Sequence, residues 1–574
     1  MSAQQPTPTD PSRHLVDVQG LSITFGAGRN SLTTAVDGLD LRIEPGESVA
    51  LIGESGSGKS VTARALLGLV DGGAGGGAEV TARRFDLGGR SMLTGAGRLT
   101  SARRRWRGIR GRDTGFVLQD ALTALDPLRP IGREISDALR LHTRLSPADR
   151  ADRVGQVLAD VGLGPGVASM RSGELSGGMR QRALIATALV AQPRLLIADE
   201  PSTALDATVA AGIMDLLTRL RREHHMAQLL ISHDLAVVGS AADRVLVMHQ
   251  GRVVESGPTR DVLTNPRHHY TQMLLDAVPA GKPRGTRLCP GPAPDAAPAR
   301  SVSADGADPV LRAHGLSKSF DRPAPGAGRE RFTAVDGVSL EVAEGTTLGI
   351  VGESGSGKTT TARLLLGLTE PDAGRVELFG RAWAGTSGSG HHVREAERRD
   401  RRHQLGAVYQ DPLSSFDPRW TVGALLADAL SRGRTARAGR YMGRIQELLG
   451  LVGLSPELSG RHPRTLSGGQ RQRVAIARAL APEPRVIVCD EPVSALDVSV
   501  QAQVLDLLDD LQRELGLTYL FISHDLAVVQ HVSDSLVVMR EGRIVESGPA
   551  ADVFAAPQHE YTRALLAAAP TLPA

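Results

Sequence analysis

Short apolar runs punctuate this chain, and each stops at a cluster of small or charged residues. Ser48-Val49-Ala50-Leu51-Ile52 leads into Gly53, and Thr347-Leu348-Gly349-Ile350-Val351 leads into Gly352. Leu195–Ala198 and Val486–Cys489 each end at an Asp-Glu pair, while Leu229–Ile231 and Tyr519–Ile522 each end at Ser-His-Asp. Runs this short and uniformly apolar predict strands buried on both faces, as in a parallel sheet. Val61–Leu69 and Thr360–Leu368 read as helices. Alternating strands and helices predict an α/β fold with its reactive groups at strand C-termini. No uninterrupted apolar run of about 18 residues is present, so no segment is expected to span a bilayer.

The pattern occurs twice. Ile231–Val238 recurs unchanged as Ile522–Val529, and Gly251–Pro258 returns as Gly542–Pro549 with one conservative change. His233 and His524, Glu200 and Glu491, Ser176 and Ser467, and Gln119 and Gln410 are all 291 residues apart. The Gly-rich loops are 299 apart, so the first half carries eight extra residues between its loop and Gln119. That excess is assigned to the Gly-rich stretch Asp71–Gly97, as a tolerant surface loop. Gly281–Pro309, rich in Pro, Ala, Gly and Ser, reads as an extended linker. The expected organisation is a disordered N-terminus (1–13), a first domain (14–265) and a short extension (266–288). A linker (289–309), a second domain (310–556) and a second extension (557–574) follow.

Each half opens with the same phrase, Gly53-Glu54-Ser55-Gly56-Ser57-Gly58-Lys59-Ser60-Val61 and Gly352-Glu353-Ser354-Gly355-Ser356-Gly357-Lys358-Thr359-Thr360. Both fit G-x-x-x-x-G-K-[ST] between a predicted strand and a predicted helix, the context of a phosphate-binding loop. Two of the chain's four lysines sit in these loops, although Lys and Arg together number 66. A compact ammonium fits beside phosphates where a planar guanidinium does not. Backbone N–H groups of the loop and a helix N-terminus would face the anion. Lys59 and Lys358 would contact the β- and γ-phosphates, and the hydroxyls of Ser60 and Thr359 would meet Mg²⁺. Asp199-Glu200 and Asp490-Glu491 end apolar strands, where adjacent carboxylates are costly unless used. The Asp suits a Mg²⁺ shell and the Glu can polarise an attacking water.

With Leu175-Ser176-Gly177-Gly178-Met179 and Leu466-Ser467-Gly468-Gly469-Gln470, the set resembles the ABC ATPases. The resemblance covers nearly the whole chain. It implies two P-loop ABC domains, each with a RecA-like parallel core, an antiparallel β subdomain and a helical signature subdomain. ATP and Mg²⁺ are the implied cofactors. Gln119 and Gln410 match the family's Mg²⁺-contacting glutamines, His233 and His524 its switch histidines, and Ala204-Leu205-Asp206 and Ala495-Leu496-Asp497 its D-loops. Glu200, His233, Glu491 and His524 are thereby the catalytic set, and Ser60, Gln119, Asp199, Thr359, Gln410 and Asp490 the metal set. The family closes each signature on ATP held by the other domain. Lys59, Gln119, Asp199, Glu200 and His233 would then pair with Ser467-Gly468-Gly469, and Lys358, Gln410, Asp490, Glu491 and His524 with Ser176-Gly177-Gly178. Met179 departs from the usual Gln. Phe25 and Phe320 match the position whose ring stacks on adenine.

Each half ends in a related tail, Pro266-Arg267-His268-His269-Tyr270-Thr271 and Pro557-Gln558-His559-Glu560-Tyr561-Thr562. These resemble the C-terminal extension of dipeptide, oligopeptide and nickel importer ATPases, the two halves matching that family's two subunit types. The resemblance implies two membrane permease subunits as partners, and a solute-binding protein served indirectly. It places the chain peripherally on the cytoplasmic face of the membrane. The adjacent histidines His268 and His269 suit helix capping or packing better than metal binding, since on a helix they point about 100° apart and no third ligand is near them in sequence. Cys289 and Cys489, the two cysteines, can build neither a disulfide framework nor a four-thiolate cluster. A net charge of +3 is too small to imply nucleic acid. Twin-ABC proteins acting on ribosomes or DNA are the competing class, with exporter ATPases a third. The first would carry a long charged helical linker or zinc cysteines, and this chain has neither. The basic runs Arg103–Arg112 and Arg398–Arg402 read as solvated faces or as attractors for anionic lipid and permease loops.

Overall fold

The computed structural model describes residues 14–26, 32–70, 77–119, 121–203, 205–290, 309–323, 329–386, 393–494, 496–569 and 571–572. The expected disordered N-terminus and residues 291–308 of the expected linker lie outside these. The chain forms two compact units. One comprises residues up to Leu205 with Val209–Leu275; the other comprises Asp276–Ala569 with Asp206–Thr208.

In the first unit a six-stranded sheet runs in the order Arg252–Pro258, Arg244–His249, Ser48–Ile52, Ala227–Ile231, Leu195–Asp199, Thr114–Val117. All neighbours are parallel except the first pair. Every residue of Ser48–Ile52, Leu195–Asp199 and Ala227–Ile231 is buried, which explains their unbroken apolar runs. The second unit repeats the order as Arg543–Pro549, Ser535–Arg540, Thr347–Val351, Thr518–Ile522, Val486–Asp490, Leu405–Val408. The helices after the loops are Lys59–Leu66 and Lys358–Leu365, starting two residues earlier and ending three residues earlier than the sequence suggested.

An antiparallel sheet and a helical group complete each unit. Val16–Gly26 pairs with Leu32–Ile43 and Arg84–Leu87 in the first unit, and Pro309–Pro323 pairs with Arg329–Ala343 and Ala373–Leu378 in the second. The eight-residue excess was expected in a surface loop at Asp71–Gly97, but that stretch includes the strands Ala78–Thr81, Arg84–Leu87 and Arg90–Ser91. Ala78–Thr81 pairs with Ser22–Phe25 and buries Val80 against the core. The alternation Ala-Glu-Val-Thr gives it one apolar and one polar face, so it extends the sheet along an edge of Val16–Gly26 that would otherwise be unpaired.

The basic runs are partly structural. Arg110 donates to the carbonyls of Leu67 and Gly68, where the helix after the first loop ends, and Arg398 donates to Gly367 O at 3.1 Å. Helix C-terminal carbonyls lack intrahelical partners and favour a cation. Trp106 and Trp383 are buried beneath these arginines. Arg104, Arg105, Arg107 and Arg112 remain exposed.

Candidate active site

Each loop leaves its strand through Gly53 or Gly352, at φ 143° and 151°. A Cβ at Gly53 would lie 2.1 Å from Met248 O, and one at Gly352 2.2 Å from Met539 O, so no side chain fits. Gly58 and Gly357 enter the following helices in the left-handed region, at φ 104° and 100°, so that the chain turns sharply. The Lys59 ammonium is buried and donates to Gly53 O at 2.6 Å and Glu54 O at 2.7 Å. Lys358 repeats this with Gly352 O at 2.6 Å and Glu353 O at 2.8 Å, and burial holds its pKa below the usual lysine value. Ser57 and Ser356 are buried beneath the loops; Ser55, Gly56, Ser354 and Gly355 are exposed on them.

Beside each loop the structure assembles residues far apart in sequence. The Ser60 hydroxyl donates to Asp199 Oδ1 at 3.0 Å, and the Thr359 hydroxyl to Asp490 Oδ1 at 3.3 Å. Gln119 Nε2 donates to Glu200 Oε2 at 2.8 Å, and His233 Nδ1 lies 3.4 Å from the same oxygen. In the second unit Gln410 Nε2 lies 2.7 Å and His524 Nδ1 3.2 Å from Glu491 Oε2. Glu200 and Glu491 adopt φ 49° and 51°, sparsely populated for residues with a side chain. Backbone strain of this kind collects where surrounding structure over-determines a functional group.

The two carboxylates of each pair are driven apart electrostatically. Burial raises the Asp199 pKa and the negative Glu200 adds to this, against the Ser60 hydrogen bond; Asp490 is raised by burial and then by Glu491. Burial also works to raise Glu200 and Glu491, but the hydrogen bond and charge of His233 or His524 outweigh it and hold both glutamates below their ordinary values. Burial disfavours the charged histidines, yet their glutamate partners keep both pKa values raised. An ionised glutamate beside an imidazole can accept a proton from water.

The ABC transporter profile matches residues 36–203 and 335–494, spanning both loops, both carboxylate pairs and both Ser-Gly-Gly motifs. The chain belongs to the ABC transporter family. It is an ATP-binding ABC ATPase of that family. A second profile, the oligopeptide/dipeptide transporter C-terminal region, matches 254–300 and 545–574. The chain is 42% identical over 561 residues to the peptidoglycan transport ATP-binding protein YejF of Agrobacterium fabrum, covering 97% of this chain and 96% of that protein. It is 42% identical over 590 residues to the glutathione import ATP-binding protein GsiA of Pectobacterium atrosepticum, covering 99% and 92%. A solved archaeal ribosome recycling factor, in complex with a ribosomal stalk protein, aligns with TM-score 0.57 at 22% identity over 92% of this chain and 90% of that one. At that identity the likeness is one of fold.

The other expected residues of this ABC ATPase fall in three places. Ser176 caps the helix Gly177–Leu189, and Ser467 caps Gly468–Leu480, each hydroxyl accepting the N–H three residues on. Gly178 and Gly469 permit close helix packing, since a Cβ would stand 2.6 Å from a methyl of Val209 or 2.4 Å from one of Val500. At the second motif Gln470 returns a bond, accepting the Ser467 N–H at 3.1 Å and closing a capping box. Met179 has no such acceptor. Phe25 and Phe320 occupy equivalent positions on the antiparallel sheets, Phe25 half-buried and Phe320 43% exposed. Asp497 caps the helix Val498–Leu515, whereas Ala204 and Ala495 lie outside the described residues.

Two residues escaped the sequence reading of the site. The Tyr270 hydroxyl accepts the Glu54 N–H at 3.1 Å, and the Tyr561 hydroxyl accepts the Glu353 N–H at 3.0 Å. Each tail therefore holds the second backbone amide of its own phosphate loop. The tails are themselves fixed, because Glu255 accepts the N–H groups of Arg267 and His268, and Glu546 those of Gln558 and His559. His268 Nδ1 accepts the Tyr270 N–H at 3.1 Å, a turn-capping role as expected. The signal was the repeated His-x-Tyr spacing of the two tails, visible without any hint that it reached the loop.

Tyr270→Phe with Tyr561→Phe keeps both rings and removes only the hydroxyls. Loss of about 1 kcal/mol of loop ordering per site should weaken ATP binding roughly fivefold, with kcat at saturation little changed. Titration calorimetry checks this, and unaltered affinity would leave the tyrosines a packing role alone. Met179→Gln should complete the missing capping box and add about 0.5–1 kcal/mol at that helix start. Amide exchange in the first turn of Gly177–Leu189 should slow by roughly two- to fivefold.

Proposed function

We propose that this ABC ATPase energises import of peptides or a related small solute through separate permease subunits in the membrane. The observation that carries this reading is the tail: the part that resembles oligopeptide transporters is hydrogen-bonded to the phosphate loop in both units. The named relatives are import or peptidoglycan transport ATP-binding proteins over nearly their whole length. Among the described residues no helix is long and apolar enough to cross a membrane, which agrees with a peripheral subunit whose permeases are other chains. Its place would be the cytoplasmic face, with a solute-binding protein served indirectly.

In this reading Lys59 and Lys358 hold the β- and γ-phosphates, and loop amides complete the cradle. Mg²⁺ fits the donors present. Ser60 with Asp199, and Thr359 with Asp490, are neighbouring hard oxygen ligands, and Gln119 and Gln410 stand beside them. When bound, Mg²⁺ neutralises charge developing on the phosphates. Glu200 and Glu491 accept the proton of the attacking water, and His233 and His524 orient these carboxylates.

Glu200→Gln with Glu491→Gln should retain ATP binding and lower turnover by at least about 100-fold. Lys59→Ala with Lys358→Ala should instead lose ATP affinity. Near-normal hydrolysis in the glutamine variant would remove both glutamates from the base role. Purification from solubilised membranes should bring down permease subunits; ribosome co-sedimentation without them would favour the competing class.

A further inference from the structure

The stretch expected to begin an extended linker is docked. Residues from Asp276 onward pack with the second unit, and Ala277 and Leu288, each 2% exposed, join its apolar core. The Leu288 and Cys289 N–H groups donate to the two oxygens of Asp506, at 3.0 and 2.9 Å. Arg287 pairs with Asp510 at 3.2 Å. Arg284 pairs with Asp534 and donates to Gln512 Oε1 at 2.8 Å.

The first unit shows what this contact replaces. There Arg221, the counterpart of Gln512, donates both to Gly46 O and to Asp243, at 2.8 Å each, and Asp243 in turn accepts the Ser48 N–H that opens the loop-bearing strand. In the second unit the same two tasks are divided. Gln512 donates to Gly345 O at 3.2 Å, while Arg284 supplies the cation for Asp534, which accepts the Thr347 N–H at 2.7 Å. The Asp506 position differs in the same sense: Asp506 is buried under residues 288–289, whereas its counterpart Asp215 is exposed.

We propose that residues 276–289 are an integral strap of the second ATPase unit, with Arg284 supplying the guanidinium that Arg221 supplies in the first. The joint between the units is at Leu275–Asp276, in the last turn of the tail helix His269–Asp276. Pro290 and Pro309, the described residues on either side of 291–308, both belong to the second unit.

The test uses the full chain with a specific protease site placed within 291–308, cut in nucleotide-free buffer at low salt. The two fragments should co-elute on size exclusion, and Arg284→Ala/Arg287→Ala/Leu288→Ala should weaken their association at least about 100-fold. Fragments that part without these substitutions, or that stay equally tight with them, overturn the strap. In the uncut chain, Arg284→Ala should speed exchange of the Thr347 amide by about tenfold, and adding Gln512→Arg should return it to the original rate. Failure of Gln512→Arg to restore protection overturns the shared role of Arg221 and Arg284. This second arm needs no dissociation and keeps its meaning even if the triple variant folds poorly.

Discussion

A buried ammonium under a bent loop is the constraint around which each half of this protein is arranged. A lysine taken from water needs oxygen partners, and the loop supplies them from its own backbone at Gly53 and Glu54, or at Gly352 and Glu353. To place those carbonyls the chain must reverse direction where a Cβ would strike the neighbouring strand, hence the glycines at 53, 58, 352 and 357. The loop must also spring from the interior of the sheet. Its strand lies between Ala227–Ile231 and Arg244–His249 in the first unit, so the loop emerges beside the ends that carry Asp199, Glu200 and His233. Topology thus brings the Gly-rich loop, the carboxylate pair and the histidine together before any ligand contact is considered.

Much of this was legible in the chain because the parallel core is buried on both faces. Its strands appear as unbroken apolar runs, and the polar groups that stop them are the ones the structure gathers beside the loops. Helix ends and surface segments were less legible. The strand Ala78–Thr81 sits in a Gly-rich neighbourhood whose composition argues for a loop, and only the open edge of Val16–Gly26 turns it into sheet. Arg110 and Arg398 look like members of charge runs, whereas their donors end up on helix C-terminal carbonyls some thirty to forty residues away. Leu288 is one apolar residue among prolines and glycines, and no periodicity marks it as core. In each case the deciding partner is distant in sequence.

The halves share their chemistry and differ in how they support it. Arg221 performs alone what Gln512 and Arg284 perform together, and Gln470 closes a capping box that Met179 leaves open. The contacts of Gln119 and His233 with Glu200, and of Gln410 and His524 with Glu491, differ between the halves by no more than about 0.2 Å. Duplicated phosphate chemistry tolerates little variation, because every group is held by geometry as well as charge. A supporting ion pair tolerates more, since a carboxylate accepts a guanidinium equally well from its own helix or from another segment.

The tail tyrosines carry the same logic into the site itself. The second amide of a phosphate loop has to be satisfied somewhere, and an amide bonded to a hydroxyl is oriented by whatever fixes that hydroxyl. Here Glu255 and Glu546 fix it, by gripping the two backbone amides that precede each tyrosine's turn. Glu255 belongs to the strand Arg252–Pro258, and Glu546 to Arg543–Pro549, each at the far edge of its sheet. A continuous hydrogen-bonded path therefore runs from the sheet edge through the tail to the phosphate loop. A tail attached only at the surface could be trimmed without consequence for nucleotide binding. One that orients a loop amide in both halves is part of the site.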